Sequence, residues 1–229
     1  LGFVIPLFRL MSWAWISRDK ASALVSIEMI SNSLGLSIIS SISIVLIALL
    51  LVFTSRYFNS YVINFSNRLA TLGYSIPGAV IAIGILLFTA QINAVTNFVL
   101  TGSLVLLIFA YIVRYLAVAC QPINAGIETN CDSLNNASKS LGSSTYTSLR
   151  LVNIPLIKNT LITAGLLVFI DIIKELPLTL ILRPFNFETL STATFDLSSQ
   201  AQIIEASLPA LCMIAVVLVP LVYLNYRMD

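Results

Sequence analysis

No histidine occurs in the 229 residues, and only 10% of them carry charge. A metal or acid–base site built on imidazole is therefore excluded. The three cysteines, Cys120, Cys131 and Cys212, form no C-x-x-C pair. Neither a zinc site nor a disulfide framework is indicated. No G-x-x-x-x-G-K-[ST] segment is present, so the chain does not bind ATP by that motif. A net charge of +2 is too small to indicate nucleic-acid binding. The opening LGFVIPLF has no basic n-region and no small-residue cleavage site, unlike a signal peptide. The missing methionine suggests a fragment of a longer polypeptide.

What is abundant is apolar: 58% of the residues, against a charged content well below the quarter usual in soluble domains. This is a membrane composition. A membrane helix needs about 20 mostly apolar residues. Six candidate spans follow: Leu1–Ile16, Leu34–Phe58, Leu69–Ala90, Phe98–Cys120, Leu156–Leu182 and Ile203–Tyr226. Pro77-Gly78 is expected to kink the third, and Leu1–Ile16 is short. The expected fold class is an all-α membrane protein with six transmembrane helices in a single domain, 1–229. Segments 17–32 and 183–202 are expected outside. The apolar residues of 183–202 are expected to pack on the membrane domain.

The long polar connection, 121–155, is expected on the cytoplasmic side. That topology puts Arg56, Arg68, Arg114, Lys139, Arg150, Lys158 and Arg227 at or near the inner face, and Arg18, Lys20 and Arg183 outside. The bias follows the positive-inside rule and places both termini in the cytoplasm. Within the connection, Asn130 or Asp132 can cap a helix that starts near Ser133. Leu134, Ala137 and Leu141 then share one face. Gly142 sits where a helix end favours the left-handed conformation. Ser143 or Ser144 can cap a second short helix presenting Tyr146, Leu149 and Val152. Pro155 suits the first turn of the next span.

Asn136-Ala137-Ser138, then Gly142, then Val152-Asn153-Ile154-Pro155, resembles the cytoplasmic loop by which permease subunits of ABC importers grip their ATPase. That loop follows E-A-A-x3-G-x9-I-x-L-P. Gly142 and Pro155 match it, whereas Val152 and Ile154 are apolar substitutes. Asn136 stands where the pattern has glutamate, and it cannot form an ion pair with a partner arginine. The resemblance implies an ATPase-coupling role for Asn136, Ala137, Leu141, Gly142, Val152, Ile154 and Pro155. An ordinary amphipathic interfacial loop is the alternative.

The fifth candidate span carries Asp171, Lys174 and Glu175, which are expected to share a helical face with Leu178. From a start near Leu156, Asp171 lies roughly 22 Å and Lys174 roughly 27 Å along the axis. An ionised group at mid-bilayer costs about 2.5–3.5 kcal/mol on insertion scales. These side chains are therefore expected to face the bundle interior or water, with Lys174 held by Asp171 or Glu175. They line the translocation path or its outer gate, or else form a structural ion pair.

Lys174-Glu175-Leu176-Pro177, Leu182-Arg183-Pro184-Phe185, Phe187-Glu188-Thr189-Leu190 and Leu208-Pro209-Ala210 resemble the C-terminal half of iron(III) ABC transporter permeases. Ala70-Thr71-Leu72-Gly73-Tyr74, Ile76-Pro77-Gly78 and Arg114-Tyr115-Leu116-Ala117 resemble the same family. The resemblance implies a MetI-like permease fold and a path or outer gate that includes Asp171, Lys174, Glu175, Pro177, Arg183 and Glu188. It also implies a separate ATP-binding cassette ATPase subunit, a periplasmic iron(III)-binding protein and a second permease half. The setting is the lipid bilayer of a bacterial inner membrane. No cofactor, stable metal site, enzymatic activity or nucleic-acid partner is expected on this chain. Two other readings stay open: a permease for thiamine, phosphonate or polyamine, and a secondary transporter using Asp171, Lys174 and Glu175 as an ion relay. An intramembrane enzyme has no nucleophile or metal constellation to support it.

Overall fold

The computed structural model describes residues 1–57, 61, 65, 68, 72–96, 100–130, 142 and 144–228. Among them there is no β-strand. The helices are α1 (Val4–Ser17), α2 (Ala21–Leu24), α3 (Ile27–Tyr57), α4 (Gly78–Thr96), α5 (Leu104–Asn130) and α6 (Thr145–Ser148). After a π-helical turn, Leu149–Asn153, come α7 (Ile154–Leu156), α8 (Lys158–Ile173), α9 (Pro177–Leu182), α10 (Leu190–Ser199) and α11 (Ile203–Met228).

Among the described residues, α3, α4, α5 and α11 are long and apolar enough to cross a membrane, with mean hydropathies of 2.0 to 2.8. A fifth span results if the helical stretches 149–156 and 158–173, which meet at 62°, are taken as one. Among the described residues, up to five of the six expected spans thus meet that length and composition. The helix in Leu1–Ile16 has 14 residues, about 21 Å at 1.5 Å per residue, against a core of about 30 Å.

Three expected boundaries also move. Pro77-Gly78 does not kink a helix but opens one: Pro77 stands just before α4 and Gly78 is its first residue, and proline's fixed φ and missing N–H suit a helix start. The fourth span does not end at Cys120. Helix α5 runs on to Asn130 through Pro122, so 121–130 is helix rather than loop. Arg114, expected near the inner face at a span end, lies well inside this 27-residue helix. Its Nη1 donates to the Ile76 carbonyl at 3.0 Å, and its guanidinium lies 5.6 Å from the Tyr115 ring centroid. The fifth span is interrupted after Ile173, as described below.

The chain forms two compact units, residues 1–39, 78–110 and 170–229, and residues 40–77 and 111–169. In the first, α1 and α10 pack on α11, and α9 packs on α4. Leu178, Leu182 and Leu190 are its fully buried anchors. The Ser17 hydroxyl reaches the Ile204 carbonyl at 3.5 Å, and Lys20 Nζ pairs with Glu205 Oε1 at 3.2 Å.

In the second unit, Ile44, Tyr111, Ile123, Ile127, Ile157 and Val168 are fully buried. Arg56 Nη2 meets Glu128 Oε1 at 3.1 Å, and Asn124 donates to the same oxygen at 2.9 Å. Two glycines permit close approach here. A Cβ on Gly73 would lie 1.8 Å from the Val113 carbonyl oxygen, and one on Gly126 would lie 2.8 Å from Thr160 Oγ1.

Candidate functional site

Two stretches hold the candidate residues, and each is a departure from regular α-helix. The first runs from Gly142 to Lys158. Asn136, Ala137 and Leu141 lie outside the described residues, as does the expected helix start near Ser133. Gly142 is exposed and has φ 79°, the left-handed conformation expected of it. Ser144 caps the short helix that follows, its Oγ accepting from the Thr147 N–H at 3.2 Å. The π-helical turn Leu149–Asn153 was not expected. It is closed by the Ile154 N–H donating to the Leu149 carbonyl. Val152 and Ile154 are half-buried, Pro155 is exposed and Asn153 is fully buried. Pro155 falls in the first turn of α7, directly after the π-turn, and has no N–H to donate back into it.

The second stretch runs from Asp171 to Gln202. The helical face expected to join Asp171, Lys174, Glu175 and Leu178 does not form. Pro177 cannot donate to the Ile173 carbonyl, so α8 ends at Ile173 and α9 begins at Pro177. The interruption separates the charges. Lys174 is exposed, and its Nζ pairs with Asp171 Oδ1 at 2.8 Å. Glu175 is only 6% exposed. Its Oε1 accepts from the Leu178 N–H at 3.2 Å, so the carboxylate bonds the first turn of α9. The Glu175 carbonyl accepts from Thr179 Oγ1 at 2.7 Å and from Ser191 Oγ at 3.1 Å. Pro177 is exposed at the start of α9.

Arg183 and Glu188 flank the turn between α9 and α10. Arg183 donates from Nη1 to Thr192 Oγ1 at 3.1 Å and from Nη2 to Asp196 Oδ2 at 3.3 Å. Thr189 caps α10 reciprocally: the Thr192 N–H donates to Thr189 Oγ1 at 3.4 Å, and the Thr189 N–H to Thr192 Oγ1 at 3.0 Å. The Leu190 N–H donates to Ser33 Oγ at 2.8 Å, and Asn32 Nδ2 donates to the Glu188 carbonyl at 3.2 Å. This segment was expected to pack on the membrane domain. It does so as a helix, with Leu190, Ser191, Thr192 and Ala193 buried.

Glu188 also lines a cleft with Ser26, Glu28, Met29, Asn32 and Asn186. Of these, only Glu188 was singled out from sequence. Glu28 and Asn32 stand more than 150 positions from it, so no local spacing could join them. The capping box was hidden in the sequence, since Thr192 stands where the usual signature has Glu or Gln. Among the described residues no group of three or more Cys, Asp or Glu side chains is arranged to hold a metal ion.

With this geometry in view, comparison with known proteins is decisive at the family level. The family described as "Binding-protein-dependent transport system inner membrane component" matches residues 44–229. The chain belongs to that family. It is a transport permease by family, not an enzyme. It is 30% identical over 217 residues to the Fe(3+)-transport system permease protein FbpB 2 of Haemophilus influenzae, covering 93% of this chain and 42% of that protein. It is 26% identical over 144 residues to the putative 2-aminoethylphosphonate transport system permease protein PhnV of Salmonella typhimurium, covering 63% of this chain and 53% of the relative. The chain thus spans about half the length, or less, of these relatives. A bacterial alginate ABC transporter, solved in complex with an alginate pentasaccharide-bound periplasmic protein, shares the permease fold. Its TM-score is 0.77 at 15% identity, over 99% of this chain and 88% of the matched chain.

Proposed function

We propose that this chain is the C-terminal permease half of an ABC importer that carries iron(III) across the bacterial inner membrane. The observation that carries the reading is the 30% identity over 93% of the chain to an iron(III) permease. In this reading a separate ATPase drives the cycle, a periplasmic protein delivers the ion and a second permease half completes the pathway. Both termini of the segment are cytoplasmic, and no cofactor resides on the chain. Asn136, Ala137, Leu141, Gly142, Val152, Ile154 and Pro155 form the surface that the ATPase grips. Gly142 holds its positive φ there, and the 62° bend before α8 turns the motion of this surface into the span.

Asp171, Lys174, Glu175, Pro177, Arg183 and Glu188 border the outward opening. Iron(III) is a hard cation suited to oxygen donors, and Asp171 and Glu188 offer carboxylates outside the helix break. Glu175 and Arg183 act there as frame: one bonds the start of α9, the other ties the following turn to α10.

The test is uptake by the complete importer in proteoliposomes, with radioactive iron(III) delivered by its binding protein. ATP-dependent iron uptake is expected, with no uptake of 2-aminoethylphosphonate. The reverse preference would favour the second reading, suggested by the phosphonate permease relatives. Topology has its own test. Ser144→Cys, with Cys120, Cys131 and Cys212 replaced, should resist an impermeant thiol reagent applied outside intact cells. Labelling from outside would invert the orientation.

A further inference from the structure

Arg114 is a charge in the middle of a membrane span. It is the eleventh residue of α5, a 27-residue helix that begins at Leu104. At 1.5 Å per residue it lies about 15 Å along the axis, near the midplane of a core about 30 Å thick. A guanidinium at that depth is costly against lipid, so it faces protein or water.

The backbone beside it is not regular α-helix. Leu72–Ser75 is a 3-10 turn, Ile76 and Pro77 are irregular, and α4 starts at Gly78. This turn lies at the level of Arg114. The buried Gly73 is seated against the Val113 carbonyl, where a Cβ would lie 1.8 Å from the oxygen. The Tyr74 and Tyr115 rings meet at 6.3 Å, and the Ile76 carbonyl accepts from Arg114 Nη1 at 3.0 Å. Irregular backbone at membrane depth is tolerated only where protein buries it or where it lines a water-filled cavity. This chain does not bury it: Leu72, Tyr74 and Ile76 are 53%, 52% and 41% exposed. A second chain covering the turn would have to desolvate the Arg114 charge, a cost that only a well-matched partner recovers. A hydrated path leaves the charge solvated. The mid-span arginine and the irregular turn therefore point, by separate arguments, to the same stretch of path.

We propose that Arg114 is a specificity-determining residue that meets an oxyanion group of the cargo at mid-membrane. Iron(III) then crosses with carboxylate or phosphate ligands still bound, not as a bare ion. A fixed guanidinium repels a bare trivalent cation, whereas its planar fork pairs with carboxylate or phosphate. The Ile76 carbonyl and the Tyr115 ring, with its centroid 5.6 Å from the guanidinium, hold the group in place. The inference rests on the iron-importer reading and adds the form in which the cargo travels.

The experiment uses the complete importer in proteoliposomes, in carbonate-free buffer. Its binding protein is loaded with radioactive iron(III) in the presence of labelled citrate in one arm and labelled phosphate in the other. One of the two labels should enter with the iron in a fixed ratio. Iron uptake that carries neither label overturns the proposal and leaves the importer reading standing. Absence of ATP-dependent iron uptake fails the importer reading, and this inference falls with it. As a second measurement, Arg114→Met should lower iron uptake per assembled complex about tenfold and abolish the fixed ratio. Arg114→Lys keeps the charge and should retain most of both. Normal uptake per complex in Arg114→Met overturns the proposal. So does an equal loss in Arg114→Lys, because the bond to Ile76, and not the charge, would then be what matters. If Arg114→Met fails to assemble, the label ratio in the unaltered importer decides.

Discussion

Pro155 and Pro177 each start a short helix, yet the first only bends the helical run and the second breaks it. Around Pro155 the backbone keeps its own bonds. The wide π-turn is closed by Ile154 to Leu149, and Ile157 N–H then donates to the Asn153 carbonyl at 3.0 Å. Around Pro177 a side chain intervenes. The Glu175 N–H turns back to Ile172 at 3.0 Å, and the Glu175 carboxylate, not a main-chain carbonyl, accepts from Leu178. A bend held by main-chain bonds can be reshaped by small dihedral changes. A break held by a buried carboxylate, with Thr179 and Ser191 bonded to the same residue, is set in one geometry. The contrast matches the proposed roles: a moving grip in the first stretch and a rigid frame in the second.

The strongest way to break the comparison is Glu175→Ala. It removes a helix-capping acceptor and opens a cavity at a site only 6% exposed. A loss of about 2–3 kcal/mol is expected, read as a lower unfolding temperature of the detergent-solubilised complex. Glu175→Gln keeps an acceptor and should lose less than half as much. Equal losses would show that the charge, and not the hydrogen bond, holds the break.

Next comes Gly142→Val. A β-branched residue at φ 79° should cost about 1–2 kcal/mol locally. In the importer reading the variant should recover less ATPase on purification and import less. Full ATPase stoichiometry with normal uptake would remove the turn from the coupling surface.

Ala201 sharpens the same point from the other stretch. It occupies a left-handed conformation, φ 60°, after α10, where the Gln202 N–H returns to the Leu197 carbonyl at 3.0 Å. Glycine suits that position, so Ala201→Gly should raise stability by up to about 1 kcal/mol. A lower unfolding temperature would mean that the alanine methyl contributes packing beyond its strain.

The smallest stability effect belongs to Lys174→Met. The lysine side chain is 59% exposed, and exposed pairs contribute about 0–1 kcal/mol. Any loss should therefore appear as uptake per folded complex. Normal uptake per complex would take the Asp171–Lys174 pair off the proposed pathway.

Much of this was legible from residues taken singly or in short windows. Gly142 revealed its backbone sign because few other residues accept positive φ, and Pro155 revealed a first-turn position because it lacks an N–H. Lys174 and Asp171, three apart, were close enough in sequence to pair. The run from Lys174 to Leu190 carried the family signal. Windows failed where two tendencies competed. Leu156–Leu182 read as one span drawn through Pro177, whereas the neighbouring Glu175 carboxylate made a full stop possible. Pro122 fell at the edge of a polar stretch, and the helix crossed it because Ile123 and Ile127 are buried and Arg56 meets Glu128.

By itself the sequence determined a membrane-embedded helical chain and its family, because apolar run length and motif spacing are local quantities. It likewise determined where the backbone must turn, because glycine and proline act through their own dihedrals. Only the tertiary structure decided which polar groups are held inside and which stand free. Asn32 bonds the Glu188 carbonyl across 156 positions, Ser33 bonds the Leu190 N–H across 157, and Lys20 meets Glu205 across 185. Those partners are chosen by the packing of whole helices. Satisfying a buried donor depends on what packing brings within about 3 Å, and no period or spacing in the chain records it.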